Sequence, residues 1–259
     1  MKKFSLLSAL LFITLSVGCF DSTPQWMTDV NAKTHVAVTP ADRADVAWWM
    51  PRHEGKLAAK NAEQINIVFI GDSITHGFEN KGKEMWEKYY APRGALNLGF
   101  SGDRTEHVLW RIDHGELDGI SPKLAVLMIG TNNSGRDDAE TIADGIKAIV
   151  ARIRGKLPET KILILSIFPR VAPAQREAPE NQHGTGMNEI RAKNDAASQF
   201  ASKIADNKMI FFLDINKAFL NDEGILLRDV MPDLLHPNEK GYQLWAEALE
   251  PAIKKLMKD

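Results

Sequence analysis

The chain has 259 residues, of which 44% are hydrophobic and 25% are charged. This composition excludes a chain that is disordered throughout and is typical of a globular protein with a sizeable core. The formal net charge of −2 at pH 7 excludes a field strong enough to gather nucleic acid or an anionic membrane surface. We therefore expect the partner to be a small, roughly neutral molecule.

The first 19 residues have the pattern of an export signal. Lys2 and Lys3 precede an uncharged apolar run from Phe4 to Val17, which is shorter than the roughly 20 residues of a permanent membrane span. Cys19, the only cysteine, follows this run. Because a lone thiol has no disulfide partner, we favour lipidation of Cys19, with an ordinary secretory signal as the alternative. The pattern predicts an exported lipoprotein, periplasmic or at the cell surface, that touches a membrane only through this anchor.

Residues 20–60 carry prolines and charges with little periodicity. We interpret them as a tether followed by a segment that docks on the domain formed by residues 61–259. The segment contains the pair Trp48 and Trp49. Large aromatic side chains mostly pack against other apolar groups, so we predict a packing role for this pair, with a substrate platform as the alternative.

From residue 61 onward, short apolar runs rich in β-branched residues alternate with segments of helical periodicity. Such runs are typical of buried parallel strands. The alternation predicts an α/β fold: a single doubly wound domain whose five-stranded parallel sheet has helices on both faces. The predicted strands are Ile65–Ile70, Ala95–Leu98, Leu124–Ile129, Ile162–Ile167 and Met209–Ile215, and the predicted helices are Lys83–Tyr90, Glu106–Ile112, Ala139–Lys156, Met187–Ala205 and Asn238–Met257.

Polar turns follow the first three predicted strands, at the sheet edge where ligands bind in folds of this kind. These turns are Gly71-Asp72-Ser73, Gly99-Phe100-Ser101-Gly102-Asp103 and Gly130-Thr131-Asn132-Asn133. Near the C-terminus, Asp233 and His236 lie three residues apart, just ahead of the last predicted helix. We therefore expect residues from four separate turns to meet at this edge.

These residue types suit acyl transfer by a serine nucleophile. Ser73 needs a neutral imidazole to take its proton, which His236 can supply while Asp233 fixes the tautomer of that imidazole. The backbone N–H groups of Ser73 and Gly102 and the side-chain amide of Asn132 can form an oxyanion hole. Singly, each residue is as well explained by a helix cap or a turn, but the complete set favours catalysis.

The sequence predicts neither a metal site nor a cofactor. His107, His114 and His183 are candidate metal ligands, but no two of them have helical ligand spacing beside a third ligand. We expect these histidines to face solvent or to pack against neighbouring groups.

The four blocks resemble those of the SGNH or GDSL hydrolases, a family named for Ser, Gly, Asn and His. The resemblance covers about Trp48 to the C-terminus, and segments 102–111 and 129–133 are most similar to platelet-activating-factor acetylhydrolase catalytic subunits and their exported bacterial relatives. It implies a flavodoxin-like fold, with Ser73, Gly102, Asn132 and His236 as the four named residues and Asp233 as the acid of the triad.

The resemblance also implies an activity: hydrolysis of short-chain O-esters, acetyl first, including acetyl groups on carbohydrates. Two alternatives remain, a phospholipid or lysophospholipid acyl hydrolase and a non-catalytic glycan-binding surface lipoprotein. By analogy with the family we also expect a homodimer. Substrate choice is expected to depend on the loop Pro169–Gly186, which contains two further prolines.

Overall fold

The structure is a computed structural model that describes residues 23–62 and 64–258. The predicted signal segment, with Cys19, lies outside the described residues. Over those two ranges, no helix combines the length and the apolar character needed to cross a membrane.

A five-stranded parallel sheet lies at the centre of the molecule. The strands of the chain are β1 (Ile67–Gly71), β2 (Ala95–Gly99), β3 (Leu124–Met128), β4 (Lys161–Leu165), β5 (Gly184–Thr185), β6 (Ile210–Leu213) and β7 (Leu226–Leu227). The order in the main sheet is β2-β1-β3-β4-β6, and every neighbouring pair is parallel. This is the doubly wound, flavodoxin-like arrangement, so the predicted fold is confirmed.

Helices cover both faces of this sheet. They are α1 (Gln25–Asn31), α2 (Trp49–Ala62), α3 (Ser73–His76), α4 (Lys83–Met85), α5 (Thr105–Asp113), α6 (Ala139–Lys156), α7 (Glu189–Ser202) and α8 (Glu239–Met257). Along β1, Val68 and Ile70 join the core beneath α5, α6 and α7, whereas Ile67 and Phe69 join the core beneath α3, α4 and α8. Both faces of the strand are buried, which explains its continuous apolar run.

The segment predicted as tether and docking region contains α1 and most of α2. Helix α2 runs to residue 62 and so crosses the boundary expected at residue 60. The two tryptophans at its start differ in burial. Trp49 is fully buried and donates its Nε1–H to Asp103 Oδ1 at 2.7 Å, whereas Trp48 is 40% exposed. Packing therefore accounts for Trp49 but not for Trp48.

Two regions differ from the sequence-based expectation. The predicted helix at residues 83–90 is one turn of α-helix, α4, which continues as a π-helix over Trp86–Tyr90. The predicted loop Pro169–Gly186 contains the short strand β5, which pairs antiparallel with β7. Two-residue strands are too short to show an alternating pattern, so sequence periodicity could not reveal them.

Candidate active site

Ser73 is the first residue of α3, directly beyond the carboxyl end of β1. The turn is tight because α3 folds back against the sheet: a Cβ atom at Gly71 would lie 2.2 Å from Thr75 Oγ1 and 2.5 Å from the Met128 carbonyl oxygen. Asp72 caps the helix by accepting the Ile74 N–H at 3.0 Å. This cap and the close approach hold the Ser73 hydroxyl at the edge of the sheet.

The structure brings Ser73, His236 and Asp233 into one hydrogen-bonded chain. Ser73 Oγ lies 2.9 Å from His236 Nε2, and His236 Nδ1 lies 2.7 Å from Asp233 Oδ2. The Ser73 and His236 residues are 163 positions apart in sequence, so only the fold unites them. The two contacts are those that a serine nucleophile, its base and the acid that orients the base require.

Asp233 is held as a carboxylate by donors from its own turn. Its Oδ1 accepts the backbone N–H groups of Leu235 and His236 at 3.1 and 2.7 Å. Burial alone would raise the pKa of Asp233, but hydrogen bonds from the His236 ring and backbone outweigh burial and hold that pKa well below its usual range. The acid therefore stays charged at every pH at which a histidine base can work.

The turn that carries Asp233 and His236 is strained at Leu234. This leucine is fully buried and has a φ of 53°, in the left-handed region that side chains with a Cβ rarely adopt. Its N–H donates to the Met231 carbonyl oxygen at 2.8 Å, and its own carbonyl oxygen accepts the Val171 N–H at 3.3 Å. Core packing and these bonds hold a conformation that folds the Asp233 carboxylate back onto His236.

Gly102, the second predicted oxyanion donor, has a backbone that only glycine adopts easily. Its φ is +79°, and a Cβ atom there would lie 2.8 Å from Nη1 of Arg43. Arg43 donates from the same Nη1 to the carbonyl oxygen of Ser101 at 2.7 Å. A cation from the N-terminal segment therefore braces the turn that holds Gly102, and nothing in the composition of residues 20–60 indicates this role.

Asn132, the third predicted donor, is held in a defined orientation by its side-chain amide. Its Nδ2 donates to the backbone carbonyl oxygen of Asp103 at 2.9 Å, and the backbone carbonyl oxygen of Asn132 accepts the Nε–H of Arg104 at 3.2 Å. An amide nitrogen carries two N–H groups, so one remains for an oxyanion after the other has bonded to Asp103. The turn that follows β3 is thus tied to the turn that follows β2.

We expect Asn132→Ala to lower kcat by about 10²- to 10³-fold, because the variant loses one donor to the oxyanion. KM should change much less, since the developing charge is absent from the ground state. Steady-state kinetics with 4-nitrophenyl acetate would measure both constants. A kcat within a few fold of the parent would reduce Asn132 to a turn residue.

A fully buried ionic cluster supports the two turns that carry the predicted oxyanion donors Gly102 and Asn132. Arg111 donates its Nε–H to Asp103 Oδ2 at 2.9 Å and contacts Glu116 through Nη1, and all three side chains are at most 1% exposed. The Arg111 guanidinium also lies 4.0 Å from the centre of the Phe100 ring. Asp103 is thereby fixed in the same loop that supplies Gly102 and the carbonyl oxygen that orients Asn132.

Asp72 lies next to the nucleophile but differs electrostatically from Asp233. Its carboxyl is buried, and Oδ2 has no hydrogen-bond partner among the residues that the structure describes. Burial raises the pKa of Asp72 to about 7, and the Ile74 N–H opposes this only in part. Asp72 therefore keeps its proton in the native state over a range in which an exposed aspartate is ionised.

This shift predicts a pH-dependent gain in stability for Asp72→Asn. Between pH 5 and pH 7 the native carboxyl keeps its proton while the unfolded one, with a pKa near 4, has lost it, so the parent loses stability as the pH rises. Asparagine has no proton to lose and still caps the helix. From pH 5 to pH 7, the free energy of unfolding of the variant should therefore rise by about 2 kcal/mol relative to that of the parent. Urea unfolding of both proteins at both pH values measures this change. A difference that is independent of pH would contradict the shift.

The loop Pro169–Gly186 contacts the triad directly, through a residue that the sequence analysis did not single out. Arg176 Nη1 lies 3.4 Å from Asp233 Oδ2. Arg228, next to β7, donates to the carbonyl oxygens of Arg176, Asn181 and Pro232 and so ties the loop to the segment that carries the triad acid. In the sequence, the prolines of this loop are the feature that could have drawn attention to this contact.

The three histidines considered as metal ligands serve other purposes. His107 accepts the Arg104 N–H at 2.9 Å as part of a helix cap, and His114 stacks on Trp110 with ring centres 3.6 Å apart. His183 lies in the loop described above, where its carbonyl oxygen accepts the Arg228 N–H at 3.3 Å. Within residues 23–62 and 64–258, no group of three metal-binding side chains is present.

Comparison with known sequences decides the family of this chain. The profile of the GDSL-like Lipase/Acylhydrolase family matches residues 69–244. The chain belongs to this family. The predicted resemblance and the predicted hydrolase class are thereby confirmed for this GDSL acylhydrolase.

Individual relatives show how far the similarity extends. Platelet-activating factor acetylhydrolase IB subunit alpha1 of Homo sapiens is 33% identical over 210 residues, or 81% of this chain and 84% of the relative. A solved GDSL-like lipase of Bacteroides thetaiotaomicron has a TM-score of 0.59 at 20% identity and covers 79% of this chain and 97% of its own. A Streptococcus pneumonia structure named for platelet activating factor has a TM-score of 0.63 at 23% identity, with coverages of 80% and 94%. At these identities the two solved structures support the fold alone.

Proposed function

We propose that this GDSL acylhydrolase is a serine esterase that removes short acyl groups, acetyl first, from oxygen. The observation that carries the proposal is the chain of contacts from Ser73 Oγ to His236 Nε2 at 2.9 Å and from His236 Nδ1 to Asp233 at 2.7 Å. A serine hydroxyl becomes an effective nucleophile in this arrangement. A module that only binds glycans has no need of it.

The reaction takes place in two displacements. Ser73 Oγ attacks the ester carbonyl carbon and passes its proton to His236 Nε2, while the negative carbonyl oxygen is stabilised by the N–H groups of Ser73 and Gly102 and by the Asn132 amide. The carbon–oxygen bond to the alcohol then breaks, and the alcohol takes the proton from His236. Water attacks the acyl-enzyme in the same way and restores the free serine.

The polar surroundings of the site support a small acyl group. Arg170 is 6% exposed and donates to the carbonyl oxygen and the hydroxyl of Thr131 at 3.0 and 3.3 Å, directly beside Asn132. Arg176 lies 3.4 Å from the triad acid, Asp233. A long hydrocarbon chain gains little next to buried or half-buried guanidinium groups, and displacing them would cost their hydrogen bonds.

A series of 4-nitrophenyl esters from acetyl to decanoyl tests the proposal. We expect the highest kcat/KM for the acetyl ester and a fall with each added pair of methylene groups. The Ser73→Ala variant supplies the background rate for every ester. The highest kcat/KM on the long chains would contradict the acetyl preference.

A second candidate function is the hydrolysis of acetylated or acylated phospholipids. The observation that favours it is the human relative, whose name is platelet-activating factor acetylhydrolase subunit. An acetylated glycerophosphocholine assayed beside ethyl acetate separates the two. This candidate function requires kcat/KM to be clearly higher for the acetylated glycerophosphocholine than for ethyl acetate.

The cellular location and the assembly of the protein are part of the proposal as well. Export through residues 1–19 and lipidation of Cys19 would place the enzyme at a membrane surface outside the cytoplasm. Incorporation of labelled palmitate that is lost in Cys19→Ser would support the anchor.

The predicted homodimer is tested by light scattering of the protein without residues 1–19.

A further inference from the structure

An exposed tryptophan, Trp48, lies beside the helix that begins with Ser73. The Trp48 ring centre is 6.0 Å from that of His76, and His76 Nδ1 is 2.9 Å from Ser101 Oγ. His76 ends the helix that begins with Ser73, and Ser101 directly precedes Gly102. Trp48 therefore lies beside the nucleophile's helix, and His76 links it to the turn that holds Gly102.

The position of Trp48 is fixed by its neighbours. Trp49 is fully buried and hydrogen-bonded to a carboxylate of the ionic cluster. Arg52, one helical turn further on, donates to the Gly99 carbonyl oxygen at 3.0 and 2.8 Å and to both carboxylate oxygens of Glu79 at 2.9 and 2.8 Å. Isolated exposed apolar side chains need no function. Trp48, however, is 40% exposed although its neighbours in the chain are anchored at the edge of the sheet that carries Ser73.

The groups around Trp48 combine an aromatic face with hydrogen-bonding atoms. Burial, with help from the charge of Arg52, lowers the pKa of His76 to about 4, so the imidazole is uncharged at neutral pH. The Ser101 hydroxyl bonded to it retains further capacity to donate or accept. Glu79, paired with Arg52, lies 3.6 Å from His76 Nε2 and adds charged hydrogen-bonding groups. An apolar ring face surrounded by polar groups suits a ligand that itself has an apolar face and hydroxyl edges.

A sugar ring has this character, because its C–H groups form flat faces and its hydroxyls point outward. We propose that Trp48 is a platform for the pyranose ring of the substrate, so that the alcohol released by this enzyme is a carbohydrate. The inference rests on the proposed esterase function and names the substrate class of the same site. In this arrangement the ring lies over the indole while its acetyl group reaches Ser73.

The test compares two acetyl esters that differ in whether the alcohol has a ring. For Trp48→Ala, the ratio of kcat/KM for 6-O-acetylglucose to kcat/KM for ethyl acetate should fall about tenfold, which is the scale of one lost aromatic contact. Trp48→Phe keeps an aromatic face and should restore most of the ratio. A ratio within twofold of the parent in Trp48→Ala would overturn the platform.

Trp26→Ala is the matched control. Trp26 is a half-buried tryptophan of α1 that lies near Met209 and Ile210, at the opposite edge of the sheet from Ser73. This variant should leave the ratio unchanged. An equal fall in Trp26→Ala would show that the loss reflects general destabilisation, and the platform would be rejected.

Binding to the inactive Ser73→Ala variant separates failure of the platform from failure of the esterase function. Saturation-transfer NMR with 6-O-acetylglucose should show binding to Ser73→Ala that is lost when Trp48→Ala is added. If the parent hydrolyses ethyl acetate but sugar binding does not depend on Trp48, the platform is wrong and the esterase function stands. If sugar binding depends on Trp48 but the parent hydrolyses neither ester, the platform stands and the esterase function is wrong.

Discussion

Ser73→Ala should lower kcat on 4-nitrophenyl acetate by on the order of 10⁴- to 10⁶-fold, the range typical of losing a serine nucleophile. The effect is this large because, among the residues that the structure describes, Ser73 is the hydroxyl that forms a hydrogen bond with the His236 base. The variant should also fail to react with a fluorophosphonate, whereas the parent should be labelled at one site. Initial rates and intact mass spectrometry measure the two effects.

Ser202→Ala is the control for this experiment. Ser202 is a half-buried serine at the end of α7, whose hydroxyl donates to the Gln199 carbonyl oxygen of its own helix at 2.8 Å. It should retain full activity and labelling. If Ser73→Ala kept most of its activity while its circular dichroism matched that of the parent, the nucleophile would have to be sought elsewhere. If the parent itself hydrolysed no ester and resisted labelling, the non-catalytic alternative would apply.

Arg111→Met should lower the free energy of unfolding by about 3–5 kcal/mol. The substitution keeps much of the side-chain length but removes the cation that Glu116 contacts and leaves Asp103 with the longer 3.4 Å contact to Arg43, and breaking a buried ion pair from one side is costly. Urea unfolding followed by tryptophan fluorescence measures the loss. Because Asp103 also orients Asn132, kcat should fall together with stability.

The control here is Arg152→Met. Arg152 forms an ion pair with Asp113 at 3.1 Å, but its side chain is 44% exposed. Exposed pairs contribute about 1 kcal/mol at most, so this variant should unfold close to the parent. If the two arginine variants lost equal free energy of unfolding, the buried ion pairs of Arg111 would contribute no more to stability than an exposed pair.

The sheet could be predicted from the sequence because of the burial of its strands. Residues of β1 and β3 are covered on both faces, so each strand appears as an uninterrupted apolar run. Helices with one apolar stripe, such as α6, were predicted with their observed ends. The π-helix after α4 was not, because its apolar and aromatic residues also fit an α-helical pattern.

The sequence predicted residues that the structure brings together in one hydrogen-bonded chain, Ser73, His236 and Asp233, but not the residues that hold them there. Ser73 and His236 were found because few residue types can fill their roles and because each follows a recognisable turn. Arg43 and Arg176 contact the site from segments without periodicity, and surface arginines in such segments are common. Their roles depend on which backbone atoms the fold brings near them, and one-dimensional patterns do not contain that information.

Arg228 has a consequence for how this enzyme can diversify. Since the Arg228 guanidinium ties the loop Pro169–Gly186 to the turn that carries Asp233, remodelling that loop for a new alcohol also disturbs the alignment of Asp233 with His236. A change in the loop that alters selectivity is therefore expected to alter turnover as well. Directed evolution of the loop should therefore proceed fastest when position 228 is left untouched.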